Sequence, residues 1–264
     1  MLERYLSSRV AFPARTAREI QSTGGADGSV LVVPVGAMEQ HGSHLPVATD
    51  ALLVGEVSLR GTEAATSVPA LVLPPVWSGH SQQHLPFGGT VTTSFGTLRR
   101  LLTEIATTAP ENGFDAVLFV NGHVGNRTVV DAAVGAAGRA SPATETLGVT
   151  YFDLAAPFVD EIRESDPGGM AHGGEFETSL MLHLFPDLVR EEREGTSLDE
   201  PYSLAGSDLF DAGTLSVYRT LDAYTESGVM GDPSLGTAEK GERLLEGLTA
   251  AFADLLVEIN EANR

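Results

Sequence analysis

The stretch SVLVVPVGAMEQHGSHLPVATD, residues 29–50, runs from unbroken apolar sequence into a dense set of ionisable side chains. Its first half, SVLVVPVGAM, is near-continuously apolar over ten residues, the pattern of a parallel strand covered on both faces. Its second half places Glu39, His41, His44 and Asp50 directly beyond the carboxyl end of that strand. In an open parallel sheet, ligands bind at that edge. The stretch therefore argues for an α/β fold and for a site where the strand ends.

The neighbouring segments extend the alternation. DALLVGEVSLRGTEAA (50–65) reads as a helix with Asp50 as a plausible N-cap, and ALVLPPVW (70–77) as a short strand ending at prolines. SFGTLRRLLTEIATTAPENGF (94–114) holds an amphipathic helix starting after Ser94, DAVLFVNG (115–122) a second buried strand, and NRTVVDAAVGAAGRA (126–140) a helix. TLGVTYFD (146–153) reads as a strand, and residues 237–262 as a long amphipathic helix. Such alternation predicts a mostly parallel sheet with helices on both faces. The Gly/Asp/Ser-rich stretch 190–236 reads as an elaboration, and a single domain over 1–264 is the simpler expectation.

Composition excludes several classes. The net charge is −20 and Lys240 is the only lysine, a field that disfavours nucleic acid and anionic membrane. Acidic residues spread along the chain, with almost no lysine, fit adaptation to high salt. The apolar residues form no membrane span. The first twenty residues carry charges throughout and no apolar signal core, and the chain has no cysteine, so a cytoplasmic protein without thiolate metal sites is expected.

Three clusters carry the chemistry. Glu39 and His41, two apart, leave an extended segment on one side, and a turn through HGSHLP can return Asp50 to the same point. The second buried strand ends at His123, on the same edge if both strands are parallel. Glu, His, Asp and a distant His form an oxygen-and-nitrogen ligand set suited to Zn²⁺, Mn²⁺ or Fe²⁺, in which Asp50 can bridge two ions. The third cluster is HGGEFETSLMLHLF (172–185). On a helix beginning near Gly174, Glu175 and Glu177 lie about 200° apart. Glu177 falls within the apolar sector of Phe176, Leu180 and Met181, where a buried carboxylate needs a partner such as a metal. Glu175 is left to the outer sphere of the ligands, to solvent or to the substrate side. His172 is a candidate proton donor or substrate binder. The loop GHSQQHLPFGGT (79–90) places His84 near the substrate, while His44 and His183 read as structural.

With these residues laid out, the sequence resembles the creatininase family of metal-dependent amidohydrolases. The resemblance rests on PVGAMEQHGSHLPVATD, GHSQQHLPFGGT, FVNGHVGN, HGGEFETSLMLHLFPDLV and SGVMGDPSLGTAEKGERLL, in the family's order over about residues 30–245. It implies a three-layer α/β/α sandwich, a homo-oligomer (commonly a hexamer), and hydrolysis of cyclic or linear amide C–N bonds with one or two divalent ions. It further implies Glu39, His41, Asp50 and His123 as ligands with Asp50 bridging, a substrate contact at His172, and a family glutamate at Glu177. Where creatininase reads N-G-H-x-E-N, with the Glu a ligand, this chain has Gly125. That departure makes creatinine a poor candidate substrate. It aligns the chain with N-G-H-x-G-N members resembling the mycofactocin-maturing peptidase and the archaeal formylaminopyrimidine deformylase. The implied mechanism is attack on an amide carbonyl by a water deprotonated by Glu177 or Glu39, with His172 donating to the leaving nitrogen. The competing class is a non-catalytic metal-binding scaffold on the same fold.

Overall fold

The computed structural model describes residues 2–196 and 202–264. The segment 29–38 forms strand β1 (Val30–Val35), which follows helices α1 (Leu2–Ser7) and α2 (Ala17–Gly24). Then come α3 (Thr49–Ala64), β2 (Ala70–Val72), α4 (Phe95–Ala106), β3 (Ala116–Asn121), α5 (Arg127–Ala140) and β4 (Glu145–Thr150). The chain continues with α6 (Glu175–Leu184), the short hairpin β5 (Ala205–Asp208) and β6 (Asp211–Gly213), and α7 (Ala238–Ala262). Residues 197–201 of the irregular 190–236 stretch lie outside the described residues.

The sheet order is β2-β1-β3-β4 with every pairing parallel. All six residues of β1 and of β3 are buried, as their unbroken apolar sequence requires. Alternate residues supply two cores. Val30, Val32, Ala116, Leu118 and Val120 pack with α3, α6 and α7. Leu31, Val33, Val35, Val117 and Phe119 pack with α2, α4 and α5 through Ile20, Leu98, Leu102, Val129 and Ala133. The period-two side-chain direction of a strand thus produces the three layers.

Two details of the sequence become intelligible. Pro34 stands inside a central strand because pairing with β2 lapses at Leu73–Pro75 opposite it and resumes only at the Val35–Val76 bridge. Helix α4 starts where expected, its Ser94 side chain accepting from the Thr97 N–H, but it ends at Ala106, with a separate 3-10 turn at Pro110–Asn112. Helices α1 and α2 were not anticipated, although Thr16 and Glu19 form a capping box at the head of α2.

Topology positions the site. Val35 pairs with Asn121 at the ends of β1 and β3, so the chain leaves both strands at one edge. Helices α3 and α6 begin beside that edge, with Asp50 and Glu177 in their first turns. Partial positive charge at a helix N-terminus favours carboxylates there.

Candidate metal centre

Asp50 is the second residue of α3, whose N-cap position is Ala48 and makes no side-chain cap. Instead of capping, its buried carboxylate lies between two imidazoles, Oδ1 at 3.2 Å from His41 Nε2 and Oδ2 at 3.4 Å from His123 Nδ1. Glu39 Oε1 lies 3.1 Å from His123 Nδ1, and Glu39 Oε2 lies 3.5 Å from His84 Nε2. His172 Nδ1 approaches Glu39 Oε1 at 3.6 Å, and Glu177 Oε2 approaches His41 Nε2 at 3.8 Å. The strand edge and two helix starts therefore gather Glu39, His41, Asp50, His84, His123, His172 and Glu177, all of them buried or nearly so.

Each imidazole is held from behind. His41 Nδ1 donates to the Glu39 backbone carbonyl at 3.0 Å, leaving Nε2 to face Asp50 and Glu177. His123 Nε2 lies 3.3 Å from the His80 carbonyl and from Ser81 Oγ, leaving Nδ1 to face Glu39 and Asp50. A ring nitrogen anchored on a backbone acceptor fixes the tautomer and aims the other lone pair, as in metal-ligating histidines. Asn121 steadies the His123 backbone from both sides, its Oδ1 accepting the His123 N–H and its Nδ2 donating to the His123 carbonyl. Asn126 donates to the Gly36 carbonyl and accepts from the His80 N–H, tying three loops together.

Both Glu39 carboxylate oxygens, His41 Nε2 and Asp50 Oδ2 are buried without a hydrogen-bond partner among the described residues. Buried polar atoms are nearly always partnered, and leaving such charges uncompensated is costly. Four such atoms converging with neutral and anionic nitrogen and oxygen donors are what a hard or borderline divalent cation satisfies. Three overlapping groups have donor atoms close enough to share one ion: Glu39–His41–Asp50, His41–His172–Glu177 and Glu39–His84–His172.

The protonation pattern follows from the same crowding. Burial pushes Asp50 up to about 7, aided by the Glu39 charge. Burial opposes charge on His123 and His41, yet Glu39 and Asp50 raise His123 to about 9, while Asp50 and Glu177 hold His41 well above the usual histidine value. Against burial, His123 and His84 keep Glu39 well below the carboxylate range. Burial drives His84 and His44 down to about 4, and burial with the nearby His41 and His84 holds His172 well below its ordinary value.

Glu175 does not join the cluster. It is fully buried, but its carboxylate turns to the opposite side of α6, where Oε1 accepts from Lys240 Nζ at 2.6 Å and the two oxygens accept from the Glu164 and Ser165 backbone N–H groups. The two-residue spacing separates it from Glu177 as expected. The outer-sphere, solvent-facing or substrate-side placement gives way to a buried ion pair because the sole lysine of the chain arrives from α7. His44 accepts its structural place, with Nε2 near the Gly173 carbonyl and Thr178 Oγ1. Half-buried His183 lies away from the cluster, beside Arg60 and Glu242.

A cavity of about 610 Å³ opens over the cluster, floored by Glu39, Asp50, His84, His123, His172 and Glu177 and walled by Phe152, Leu209 and the β5–β6 hairpin. Arg127 lines it as well, but its guanidinium pairs with Asp153 at 2.6 Å. His84 comes from a 3-10 turn, Gln82–Phe87. Two buried groups were missed from sequence: Gln40, lodged in the site among His84, His172 and Gly228, and Lys240, the partner of Glu175 outside it. A lone lysine at a buried position of an amphipathic helix was the available signal for the second.

A doubly covered parallel sheet with a buried carboxylate–imidazole cluster at its carboxyl edge makes this an α/β protein with a candidate metal centre. The chain belongs to the creatininase family: the family model described as Creatininase, creatinine amidohydrolase, matches residues 14–256. A mycofactocin precursor peptide peptidase of Mycolicibacterium smegmatis is 32% identical over 252 residues, covering 93% of this chain and 91% of that protein. A creatinine amidohydrolase of Pseudomonas putida is 30% identical over 269 residues, covering 96% and 98%. The solved structure described as Creatininase Mn superposes with a TM-score of 0.82 at 28% identity, covering 94% of this chain and 98% of that one. These relatives are hydrolases acting on C–N bonds.

Proposed function

We propose that the chain is a divalent-metal amidohydrolase that cleaves an amide C–N bond, in a peptide or in a smaller amide other than creatinine. The observation that carries this is the set of unpartnered buried atoms of Glu39, His41 and Asp50 in a family of C–N hydrolases. Glu39, His41, Asp50, His123 and Glu177 would hold one or two ions, with Zn²⁺, Mn²⁺ and Fe²⁺ the candidates by donor type. When bound, the metal supplies Lewis acidity toward a water and toward the amide carbonyl oxygen.

The chain's own groups then manage the protons. Glu177, with Oε2 anchored on the Gly173 N–H at 2.7 Å, receives the proton of the attacking water as the new C–O bond forms. His172 presents a bare Nδ1 to the cluster, since its Nε2 donates to the Gln40 carbonyl at 2.7 Å. His172 therefore takes the water's proton from Glu177, close to it in the cluster, and delivers it to the leaving nitrogen as the C–N bond breaks, releasing the amine. His84 on the cavity floor contacts the substrate. The cavity has room for several residues of an extended peptide as well as for a small cyclic amide, which supports keeping both substrate classes. Gly125 in place of the creatininase glutamate favours substrates other than creatinine, the mycofactocin-type peptide and formylaminopyrimidine among them.

The sequence further supports a cytoplasmic, salt-adapted homo-oligomer, a hexamer on the family pattern; no helix among the described residues is long and apolar enough to cross a membrane. The test is a panel of formamides, lactams and peptides with Zn²⁺-, Mn²⁺- or Fe²⁺-loaded enzyme at high salt. Turnover that disappears in His172→Gln while metal remains bound supports the reading. Metal binding with no turnover of any amide would return the chain to the scaffold class.

A further inference from the structure

The Gln40 side chain has no role in the reading above, yet it touches both non-ligand histidines of the cavity floor. Its amide orientation is fixed by two backbone groups: Oε1 accepts from the Gly42 N–H at 2.9 Å, and Nε2 donates to the Gly228 carbonyl at 2.8 Å. A flipped amide would set oxygen against the Gly228 carbonyl and nitrogen against the Gly42 N–H, so the flip is excluded. Gly228 makes this approach possible, because a Cβ there would stand 2.2 Å from Gln40 Oε1.

The second Gln40 Nε2 hydrogen has one acceptor, His84 Nδ1 at 3.1 Å. His84 Nδ1 must then be bare and Nε2 protonated, and that N–H faces Glu39 Oε2 at 3.5 Å. His172 Nε2 stands 3.2 Å from the same amide nitrogen, but its 2.7 Å contact with the Gln40 backbone carbonyl requires Nε2 to carry the proton. A bare Nε2 would put two lone pairs against each other at that distance. His172 therefore shows its lone pair at Nδ1, 3.6 Å from the other Glu39 oxygen.

We infer that Gln40 is a positioning residue that divides the two floor histidines into opposite roles, through its side chain making His84 a hydrogen-bond donor and through its carbonyl making His172 an acceptor. One residue thereby places a donor and an acceptor on the two sides of Glu39. His84 thus turns an N–H toward one Glu39 oxygen, and the proton to be relayed meets a bare nitrogen at His172 beside the other. The inference deepens the hydrolase reading and rests on it for its kinetic consequence only, since the tautomers belong to the folded chain itself.

The test is long-range ¹H–¹⁵N correlation on the full chain labelled with ¹⁵N-histidine, metal-free and Zn²⁺-loaded, with His84 assigned through His84→Gln. Wild type is expected to show bare Nδ1 and protonated Nε2 at His84. In Gln40→Glu the second carboxylate oxygen faces His84 Nδ1 and the Gly228 carbonyl, so Nδ1 must become protonated. On the best amide substrate, kcat should then fall about 10- to 100-fold, as for other groups that orient site histidines, with metal content unchanged. A protonated Nδ1 at a neutral His84 in wild type overturns the inference, and that measurement stands even if Gln40→Glu does not fold. So does a Gln40→Glu variant that loses activity with the His84 tautomer unaltered, which would mark a merely structural glutamine. If no amide is turned over, the hydrolase reading falls while the tautomer result still decides the inference.

Discussion

Replacing Lys240 with Met strands a carboxylate in the interior. Glu175 is fully buried and accepts from Lys240 Nζ at 2.6 Å, from Ser165 N–H at 2.9 Å and from Glu164 N–H at 3.0 Å. Lys240 Nζ also donates to the Leu235 carbonyl at 2.7 Å, which loses that donor in the variant. Two backbone bonds do not neutralise the charge, and breaking one side of a buried pair costs about 3–5 kcal/mol. For a chain of this size each kcal/mol moves Tm by roughly 2–4 °C, so a fall of about 6–20 °C is expected by calorimetry. The Glu175→Leu, Lys240→Met double variant should recover most of that loss, because an apolar pair of similar volume removes the desolvation cost. In Lys240→Met, kcat of the folded fraction should stay near wild type, since Glu177 faces His41 and not Lys240. A Tm unchanged within error would refute the claim that Glu175 is charged and buried in a structural pair. Loss of kcat at full stability would return Glu175 to the active site.

The metal-free chain should lose stability as pH rises from about 6.5 to 9. His123 and His41 have folded-state values above the unfolded one, so the native state holds more protons there and stability drops with pH, by roughly 1–3 kcal/mol per unit until His123 titrates near 9. Metal affinity over the same range should rise with pH, because the ion must displace those protons; metal-free melting temperatures that climb from pH 7 to 9 would contradict the assignment. Gly125→Ala should weaken metal binding by at least about tenfold in a competition titration, since a Cβ there meets His123 Nε2 at 2.4 Å and the His80 carbonyl at 2.6 Å and disturbs the group that aims His123. An unaltered affinity would show that the ring can shift without consequence.

The parallel sheet and its two-sided burial were legible because β1 and β3 carry no polar residue before their ends, a pattern few other structures tolerate. Convergence of Glu39, Asp50 and His123 followed from the same strands, since parallel neighbours deliver their loops to one edge. Glu177 could be separated from Glu175 by helical angle alone, but the destination of Glu175 could not. Its partner lies 65 residues away on α7, a contact that no local pattern encodes. Asp50 looked like a cap because aspartate at a helix start usually is one, and only the position of His41 across the turn decides otherwise. Gln40 was passed over inside a run of stronger ligands, for its role depends on two glycine backbones, at Gly42 and Gly228, that sequence does not bring together.

The central claim is that the cluster around Asp50 holds the metal that makes this chain a hydrolase. Elemental analysis of wild type and Asp50→Ala, each purified at high salt and exchanged free of loose ions, tests it most directly. Asp50 joins the His41 and His123 sides of the cluster, so wild type should retain one or two divalent ions per chain and Asp50→Ala should lose them together with amide hydrolysis. Equal metal content in the two proteins, or hydrolysis surviving in Asp50→Ala, would contradict the account.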